Sequence, residues 1–156
     1  MRASAMVFQD VDYQLFAASA AADVTFGLPR RRARTVDTDA ILRALALDDV
    51  AGMHPATLSG GQKQRLAVAA CVAAGKRIIV FDEPTSGIDL DGMRRVARLL
   101  RRLAARGRAV LVITHDLELI ACACDRVLHV DAGRVVGRAR VRDDFDAVRV
   151  MTGASA

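Results

Sequence analysis

The sequence lacks the features of disordered, membrane-spanning and secreted chains. Only 3 of its 156 residues are proline, and 53% are hydrophobic against 26% charged, which excludes a disordered or fibrous chain. The longest uninterrupted apolar run, Leu66 to Ala74, is about half of the roughly 20 residues that a membrane-spanning helix requires. The N-terminus has no apolar stretch long enough for a signal peptide. We therefore expect one globular domain in the cytoplasm.

Cysteine and lysine are also scarce. Cys122 and Cys124 have no second cysteine pair or nearby histidine cluster that would complete a zinc site, so we expect buried free thiols at these positions and at Cys71. The net charge of +5 comes almost wholly from arginine, because Lys63 and Lys76 are the only lysines. A positive charge of this size is compatible with binding to nucleic acid, anionic lipid or nucleotide phosphates, and it does not distinguish among these ligands.

Helix and strand patterns predict an α/β fold. After Pro55 a helical segment and a strand alternate three times, which indicates crossover units and a largely parallel sheet. Residues 78–81 and 109–113 are apolar runs rich in β-branched residues, and we expect them to be central strands covered on both faces. Residues 90–106 between them have the apolar spacing of an amphipathic helix that stops at Gly107.

The segment before Pro55 predicts the end of a strand at residues 6–8, a polar loop at 9–14 and then helices. Ser19 is a plausible N-cap for a short helix around residues 20–26. The residues spaced for one face of a second helix are Ile41, Leu42, Leu45 and Leu47.

Arginines cluster in two places. Residues 29–34 form a basic connector, which we interpret as a solvated turn rather than a dedicated binding patch. The helix at 90–106 carries five more arginines, which we interpret as a solvated face first and a lipid or partner contact second. These are Arg94, Arg95, Arg98, Arg101 and Arg102.

Ser59, Gly60 and Gly61 precede the helical run that begins at Leu66. A serine and two glycines let the backbone approach an anion closely, while the free amides and the dipole of a helix N-terminus point at it. Alone, a glycine pair more often marks an ordinary turn. The segment therefore indicates a phosphate-facing helix start only if other phosphate-binding features accompany it.

Two predicted strands end in groups that can carry chemistry. Asp82 and Glu83 follow the first: Asp82 could hold Mg²⁺, and Glu83 could polarise an attacking water. A capping Asp-Glu turn is the structural alternative. His115 follows the second strand and could donate to a γ-phosphate oxygen, although a single histidine is more often structural.

Three motifs, LSGGQKQR, RIIVFDEPTSGID and VLVITHD, occur together in the order and spacing of the ATP-binding-cassette ATPases. The resemblance covers nearly the whole chain from Met6, and residues 126–128 and 133–136 resemble the late hairpin of that family. It implies a P-loop NTPase-like three-layer α/β fold with a largely parallel sheet and with its N-terminal strands missing. An inserted helical subdomain would span residues 10–57, and the motif-bearing part residues 58–156.

The resemblance also implies a site for ATP and Mg²⁺. Gln9 would sense Mg²⁺ and the attacking water, Asp82 would be the magnesium-site aspartate, Glu83 the general base and His115 the switch histidine. Asp89 would belong to the loop through which two protomers communicate. The signature that would close on ATP held by the opposite protomer consists of Ser59, Gly60, Gly61 and Gln62.

Residues 7–10, 14–16 and 23–27 look like the energy-coupling-factor and cobalt or nickel importer ATPases. The implied function is an ATP-hydrolysing subunit that powers uptake of a vitamin or metal ion from the inner face of the cell membrane. Its partners would be a second ATPase subunit, identical or different, and an integral membrane transport subunit. One alternative is a non-catalytic chain that supplies only a signature face. Another alternative is the chromosome-maintenance or DNA-repair branch of the same superfamily, in which a long coiled-coil insertion is expected. No heptad pattern appears in this sequence, so no nucleic-acid partner is expected.

The phosphate-binding loop of the family, G-x-x-x-x-G-K-[ST], is not found in this sequence. Only eight residues precede Gln9, and neither lysine fits the pattern. We therefore expect the chain alone to be inactive and to expose an apolar sheet edge. A coding start placed too late or disrupted is the explanation we favour, over a domain split between two chains or a degenerate relic.

Overall fold

The computed structural model describes residues 4–153, which form two sheets and the helices around them. The strands are β1 (Ser4–Val7), β2 (Ile78–Asp82), β3 (Ala109–Ile113), β4 (Arg126–Asp131) and β5 (Arg134–Arg140). The α-helices are α1 (Ala20–Thr25), α2 (Arg30–Ala33), α3 (Thr38–Ala44), α4 (Gly60–Ala73), α5 (Leu90–Ala105), α6 (Leu117–Ala123) and α7 (Phe145–Met151). Short 3-10 helices span Val11–Gln14, Asp48–Val50 and Pro55–Thr57.

The first sheet is parallel, with the strand order β1-β2-β3. Ser4 pairs with Ile78, and Ile78 pairs with Ala109, so side chains of alternate residues share a face across all three strands. Helices α1 to α4 connect β1 to β2, and α5 connects β2 to β3. This confirms the predicted alternation of helices and strands and the α/β fold class.

The core lies on one face of this sheet. Val7, Ile79 and Phe81 have no exposed surface, and helices α4 and α5 pack against the strands that carry them. Helix α5 contributes an apolar face that includes Val96 and Leu100. It ends close to the predicted position, with Gly107 at a φ of +76° just beyond it.

The opposite face of the same sheet is partly open. Leu111 and Ile113 of β3 are each 52% exposed, and Ile78 of β2 is 41% exposed. The prediction of two central strands covered on both faces is therefore right only in the central position of β2: for the described residues β3 is an edge strand, and one face of both strands is partly open. Helices α4 and α5 cover only the other face, and no strand within residues 4–153 pairs with the outer edge of β3. The expected exposure of an apolar sheet edge is observed.

The predicted helix around residues 20–26 is confirmed, with Ser19 Oγ accepting from the backbone N–H of Ala22. The predicted apolar face of the second helix is right in burial and partly wrong in structure, because α3 ends before Leu45. The N–H of Leu47 bonds back to the carbonyl of Leu42 at 3.0 Å, and Ala46 between them has a φ of +51°. This tight C-cap turns Leu45 and Leu47 into the core after the helix has ended.

The segments predicted as loops contain short helical turns. Asp10 caps the 3-10 helix in the polar loop, and Pro29 precedes α2 in the basic connector. The residues of α2 are largely exposed, as expected for a solvated turn, but Arg32 Nε donates to the carbonyl of Ala73 at 2.9 Å. The connector is thus attached to the C-terminal end of α4.

The three cysteines are free thiols, but only one is buried. Burial raises the pKa of Cys71 to about 12. Cys122 is exposed and Cys124 is half-buried, because both lie at the surface end of α6. The prediction of three buried thiols is therefore wrong for this pair.

The late hairpin is confirmed as the antiparallel pair β4 and β5, which turns at Gly133 with a φ of +74°. Helix α7 packs against β5 and buries Val148, an element that the sequence patterns did not predict. Within residues 4–153 no helix is both long enough and apolar enough to span a bilayer.

Candidate functional site

The carboxyl ends of the parallel strands bring the predicted site residues to one edge of the sheet. Gln9 follows β1, Asp82 ends β2 with Glu83 directly after it, and His115 follows β3. Open α/β sheets bind their ligands at this edge. The three strands thereby join residues that are more than 30 positions apart in the sequence.

Glu83 is held through both its carboxylate and its backbone. Its Oε1 lies 2.8 Å from His115 Nδ1, and its Oε2 accepts a hydrogen bond from Thr114 Oγ1 at 3.1 Å. Its N–H donates to the carbonyl of Ile113 at 2.9 Å, and its carbonyl accepts from Gln64 Nε2 at 3.1 Å. These contacts hold a φ of +44°, which is uncommon for a residue with a long side chain and typical of functional sites.

His115 is exposed, whereas its partner is mostly covered. The side chain of His115 is 85% exposed and that of Glu83 is 17% exposed. The hydrogen bond to Glu83 and the negative charge of that carboxylate raise the pKa of His115 above its ordinary value, and Asp116 adds a smaller effect. The imidazole is therefore oriented on one side by Glu83 and open to solvent on the other, where a ligand phosphate could approach.

Asp82 is the last residue of β2 and is half-buried. The alternation along the strand places its side chain on the open face of the sheet, with those of Ile78 and Val80. No hydrogen bond or ion pair from residues 4–153 engages its carboxylate. Asp82 is therefore available as a ligand for a cation at the carboxyl edge.

The signature segment forms the start of α4. Ser59 Oγ accepts from the N–H of Gln62 at 3.3 Å, and Gln62 Oε1 accepts from the N–H of Ser59 at 2.9 Å, which is a complete capping box. A Cβ at Gly60 would meet nothing within 4 Å, whereas one at Gly61 would lie 3.1 Å from the carbonyl of Gly87. Packing inside the chain thus explains the glycine at 61 but not the one at 60.

A cavity of about 420 Å³ lies between the loop after β1 that carries Gln9, here called the glutamine loop, and α4, here called the signature helix. Gln9 and Gly60 line it, together with Gln64, Ser86 and Gly87. An ion pair between Lys63 Nζ and Asp12 Oδ1, 2.8 Å long, also joins the two segments, although neither residue lines the cavity. The start of the signature helix thus shares a cavity with Gln9, whereas the Glu83 carboxylate contacts His115.

Asp89 lies at the surface and caps α5. Its Oδ1 accepts from the N–H of Gly92 at 2.8 Å. The preceding residues Gly87 and Ile88 lie against Gly61 of the signature helix. The loop predicted to join two protomers is therefore in contact with the signature of its own chain.

Sequence reasoning missed three side chains of this site. Gln64 is 3% exposed and joins the signature helix to the Glu83 backbone, and Thr114 binds the Glu83 carboxylate. Thr85 Oγ1 donates to Asp116 Oδ2 at 2.9 Å, which joins the turn after β2 to the turn after β3. For Gln64, the available signal was its position on the buried side of a largely apolar helix. A buried side-chain amide needs a hydrogen-bond partner, so such a position indicates a contact with another polar group.

The residues present fit Mg²⁺ and ATP in part. The Asp82 carboxylate suits Mg²⁺, which proteins commonly hold with one or two carboxylates and the phosphates of a nucleotide. Within residues 4–153 no cluster of three acidic, histidine or cysteine side chains could hold a metal without such a nucleotide. The first amides of α4 are free to face a phosphate, but the chain shows no phosphate-binding loop for the remaining contacts.

Comparison with known proteins gives one consistent family. The family model described as ABC transporter matches residues 2–86, more than half of the chain. A putative ABC transporter ATP-binding protein of Treponema denticola is 47% identical over 85% of this chain and 27% of its own length. The cobalt import ATP-binding protein CbiO of Rhodobacter capsulatus is 42% identical over 84% of this chain and 48% of its own length.

The energy-coupling factor transporter ATP-binding protein EcfA1 of Mycoplasmoides gallisepticum is 35% identical over 90% of this chain and 51% of its own length. Among solved structures, a dimeric ATP-binding cassette bound to ADP and Pi in a post-hydrolysis state superposes with a TM-score of 0.75. It is 25% identical, and the match covers 89% of this chain and 63% of that one. The chain thus spans about a quarter to a half of the length of these curated relatives.

Proposed function

Because the chain belongs to the family of ABC transporter ATPases, we propose that it is part of an ATP-hydrolysing subunit that powers an importer. The observation that carries this proposal is the position of Glu83, beside Asp82 and fixed by His115 and Thr114 at the ligand-binding edge of the sheet. A carboxylate in this position can accept the proton of an attacking water. The cargo is a vitamin or a metal ion, in line with the cobalt import and energy-coupling factor relatives.

Each side chain has one task in the proposed reaction. Glu83 accepts a proton at its carboxylate, which two hydrogen bonds keep in one orientation. His115 Nδ1 contacts that carboxylate. The opposite edge of the imidazole is therefore open to solvent, on the side from which the γ-phosphate of ATP would approach. Asp82 and Gln9 would hold Mg²⁺, which would neutralise charge at the phosphates.

The signature acts on ATP held by another protomer. Ser59 and Gly60 are exposed, and Gly60 leaves open space where a Cβ would stand. A phosphate from outside the chain can therefore come close to the first amides of α4. The similar solved structure is described as a dimer, which supports this arrangement.

The implied partners are a second ATPase subunit and an integral membrane transport subunit, and the implied location is the cytoplasmic face of the membrane. The importer relatives support both assignments. Residues 10–57, which contain α1 to α3, form the helical subdomain, and residues 58–156 carry the motifs. In this arrangement the exposed glutamine loop at Gln9 contacts the membrane subunit.

The test is Glu83→Gln in a longer protein that joins this chain to a phosphate-binding loop of the family. Glutamine keeps the shape of the side chain but cannot act as the base, so ATP turnover should fall by roughly 10² to 10⁴ while ATP binding persists. Glu118→Gln is the matched control, because Glu118 is exposed and is the only other glutamate. Steady-state turnover within a few-fold of the control would remove Glu83 from the role of base.

The non-catalytic alternative predicts a different result. If the chain supplies only its signature face to the ATP of a partner, Glu83→Gln leaves turnover unchanged and Ser59→Arg abolishes it. The chain without a phosphate-binding loop should bind Mg-ATP poorly in either case, because the loop supplies most phosphate contacts. Calorimetry with the 156-residue chain measures this, and micromolar binding would place the nucleotide elsewhere.

A further inference from the structure

A second cavity, of about 400 Å³, lies at the end of the sheet opposite the candidate ATP site. Gly75 lies three residues before β2 and Arg108 directly before β3, and both line the cavity, so it is at the amino ends of these strands. Ile79 of β2 lies in its wall, and three residue steps of about 3.3 Å each lead from there along the strand to Asp82. Its volume lies within the range of small-molecule sites, roughly 300 to 1,000 Å³.

The cavity has a strong excess of positive charge. Arg32, Arg102, Arg106 and Arg108 line it, whereas Asp37 is the only carboxylate in its wall. Asp37 Oδ1 is engaged by the N–H of Ala40 as the cap of α3. None of the four arginines forms an ion pair within the described residues, so the formal charge of the wall is +3.

Two of these arginines are held in place by backbone carbonyls. Arg32 Nε donates to Ala73 at 2.9 Å, and Arg108 Nη1 donates to Gly75 and Lys76 at 3.0 Å each. A Cβ at position 75 would lie 2.5 Å from Arg32 Nη2, so the glycine allows this guanidinium to lie against the backbone. Both side chains are therefore ordered before a ligand arrives, which lowers the entropy cost of binding.

The floor of the cavity is apolar. Ile41, Val72 and Leu103 contribute to it from α3, α4 and α5. An arginine rim over an aliphatic floor matches a ligand with an anionic end and an apolar end. Arginine binds phosphate and carboxylate through paired N–H donors, and a wall of charge +3 favours the doubly charged phosphate.

We propose that this arginine cavity binds a phosphate monoester with an apolar substituent. The site is separate from the proposed ATP site and from its catalytic residues. The phosphate can come from a soluble ester or from a phosphatidic acid headgroup at a membrane surface. Both sources present the same chemistry to the arginines.

The soluble source is tested with phenyl phosphate, inorganic phosphate and phenol by isothermal titration calorimetry on the full 156-residue chain. Phenyl phosphate should bind more tightly than inorganic phosphate, because its ring reaches the apolar floor. Phenol should not bind measurably, because it lacks the anion.

Paired substitutions locate the site. Arg102→Gln with Arg106→Gln removes two cavity charges, whereas Arg94→Gln with Arg98→Gln removes two exposed charges from the same helix outside the cavity. The first pair should weaken phenyl phosphate binding by about tenfold or more, because each arginine contact to a charged group is lost. The second pair should leave binding within a factor of about two. Circular dichroism of both variants confirms that the fold is retained.

The lipid source is tested by cosedimentation with phosphatidylcholine vesicles that contain or lack phosphatidic acid. Binding that requires phosphatidic acid and is lost only in the Arg102 and Arg106 variant identifies the lipid as a source. Binding of phenyl phosphate without this vesicle dependence identifies a soluble ester. The proposal is overturned if neither probe binds, or if the cavity pair of substitutions weakens binding no more than the control pair.

Discussion

The contact between Glu83 and His115 makes the candidate site sensitive to pH at the level of single residues. The Glu83 carboxylate raises the pKa of His115, so the imidazole stays protonated to a higher pH in the folded chain than in the unfolded chain. The contact therefore stabilises the fold fully below the unfolded pKa, and this contribution is lost as the pH rises through the folded pKa. High exposure of His115 keeps the effect small.

Replacement of Glu83 by glutamine should lower the pKa of His115, because the amide keeps a hydrogen-bond acceptor but removes the negative charge. The measurement is an NMR titration of the His115 ring protons, assigned with a His115→Asn variant. Glu118→Gln serves as the control and should leave the titration of His115 unchanged. An unchanged pKa in Glu83→Gln would mean that the 2.8 Å contact does not persist in solution.

At the level of elements, the two faces of the parallel sheet differ in cover. Ile79 of β2 has no exposed surface, whereas Ile113 of β3 is 52% exposed. Both are isoleucines in strands of the same sheet, so they form a matched pair. They lie on opposite faces of the sheet, and helices α4 and α5 cover the face that carries Ile79, whereas Ile113 ends an edge strand on the open face.

Ile79→Ala should cost about 2 to 5 kcal/mol of unfolding free energy, the range for a fully buried isoleucine. Ile113→Ala should cost less than about half as much, because half of its surface remains in water. Urea unfolding followed by circular dichroism compares the two variants. Equal losses would indicate that the open face is covered in solution, for example by self-association.

At the level of the whole molecule, the candidate site is divided between two sides of one sheet edge. The Glu83 carboxylate faces His115, whereas the signature start faces Gln9 and the cavity beside it. Gln64 lies between the two groups and contacts the Glu83 backbone. In the proposed dimer, each ATP would meet Glu83 of one chain and the signature of the other.

Complementation between two variants tests this dimer. In a longer protein that carries a phosphate-binding loop, Ser59→Arg places a bulky side chain in the closing interface, and Glu83→Gln removes the base. Each variant alone should lack turnover, whereas a mixture should regain part of it, because one site of the mixed dimer carries neither change. No recovery, with mixed dimers shown to form, would contradict the trans arrangement or require both sites to act together.

Most of the local elements could be predicted from the sequence alone, as could the strand ends that carry the candidate site residues. Apolar periodicity predicted α5 and the alternation of helices and strands, because these patterns depend on neighbouring residues. The capping serine at 19 and the hairpin turn at Gly133 were predicted for the same reason. Glu83 and His115 were candidates because both follow predicted strands, and the family resemblance supplied their expected roles.

Only the tertiary structure decided which faces are covered and which distant side chains meet. The apolar run of β3 could not show that one of its faces is open, since cover depends on helices elsewhere in the chain. Gln64 and Glu83 are 19 residues apart, and Arg32 and Ala73 are 41 apart, so no local pattern joins them. Long-range packing forms both the contacts that hold Glu83, the proposed base, and the arginine cavity. Each of them requires side chains from several elements to come together.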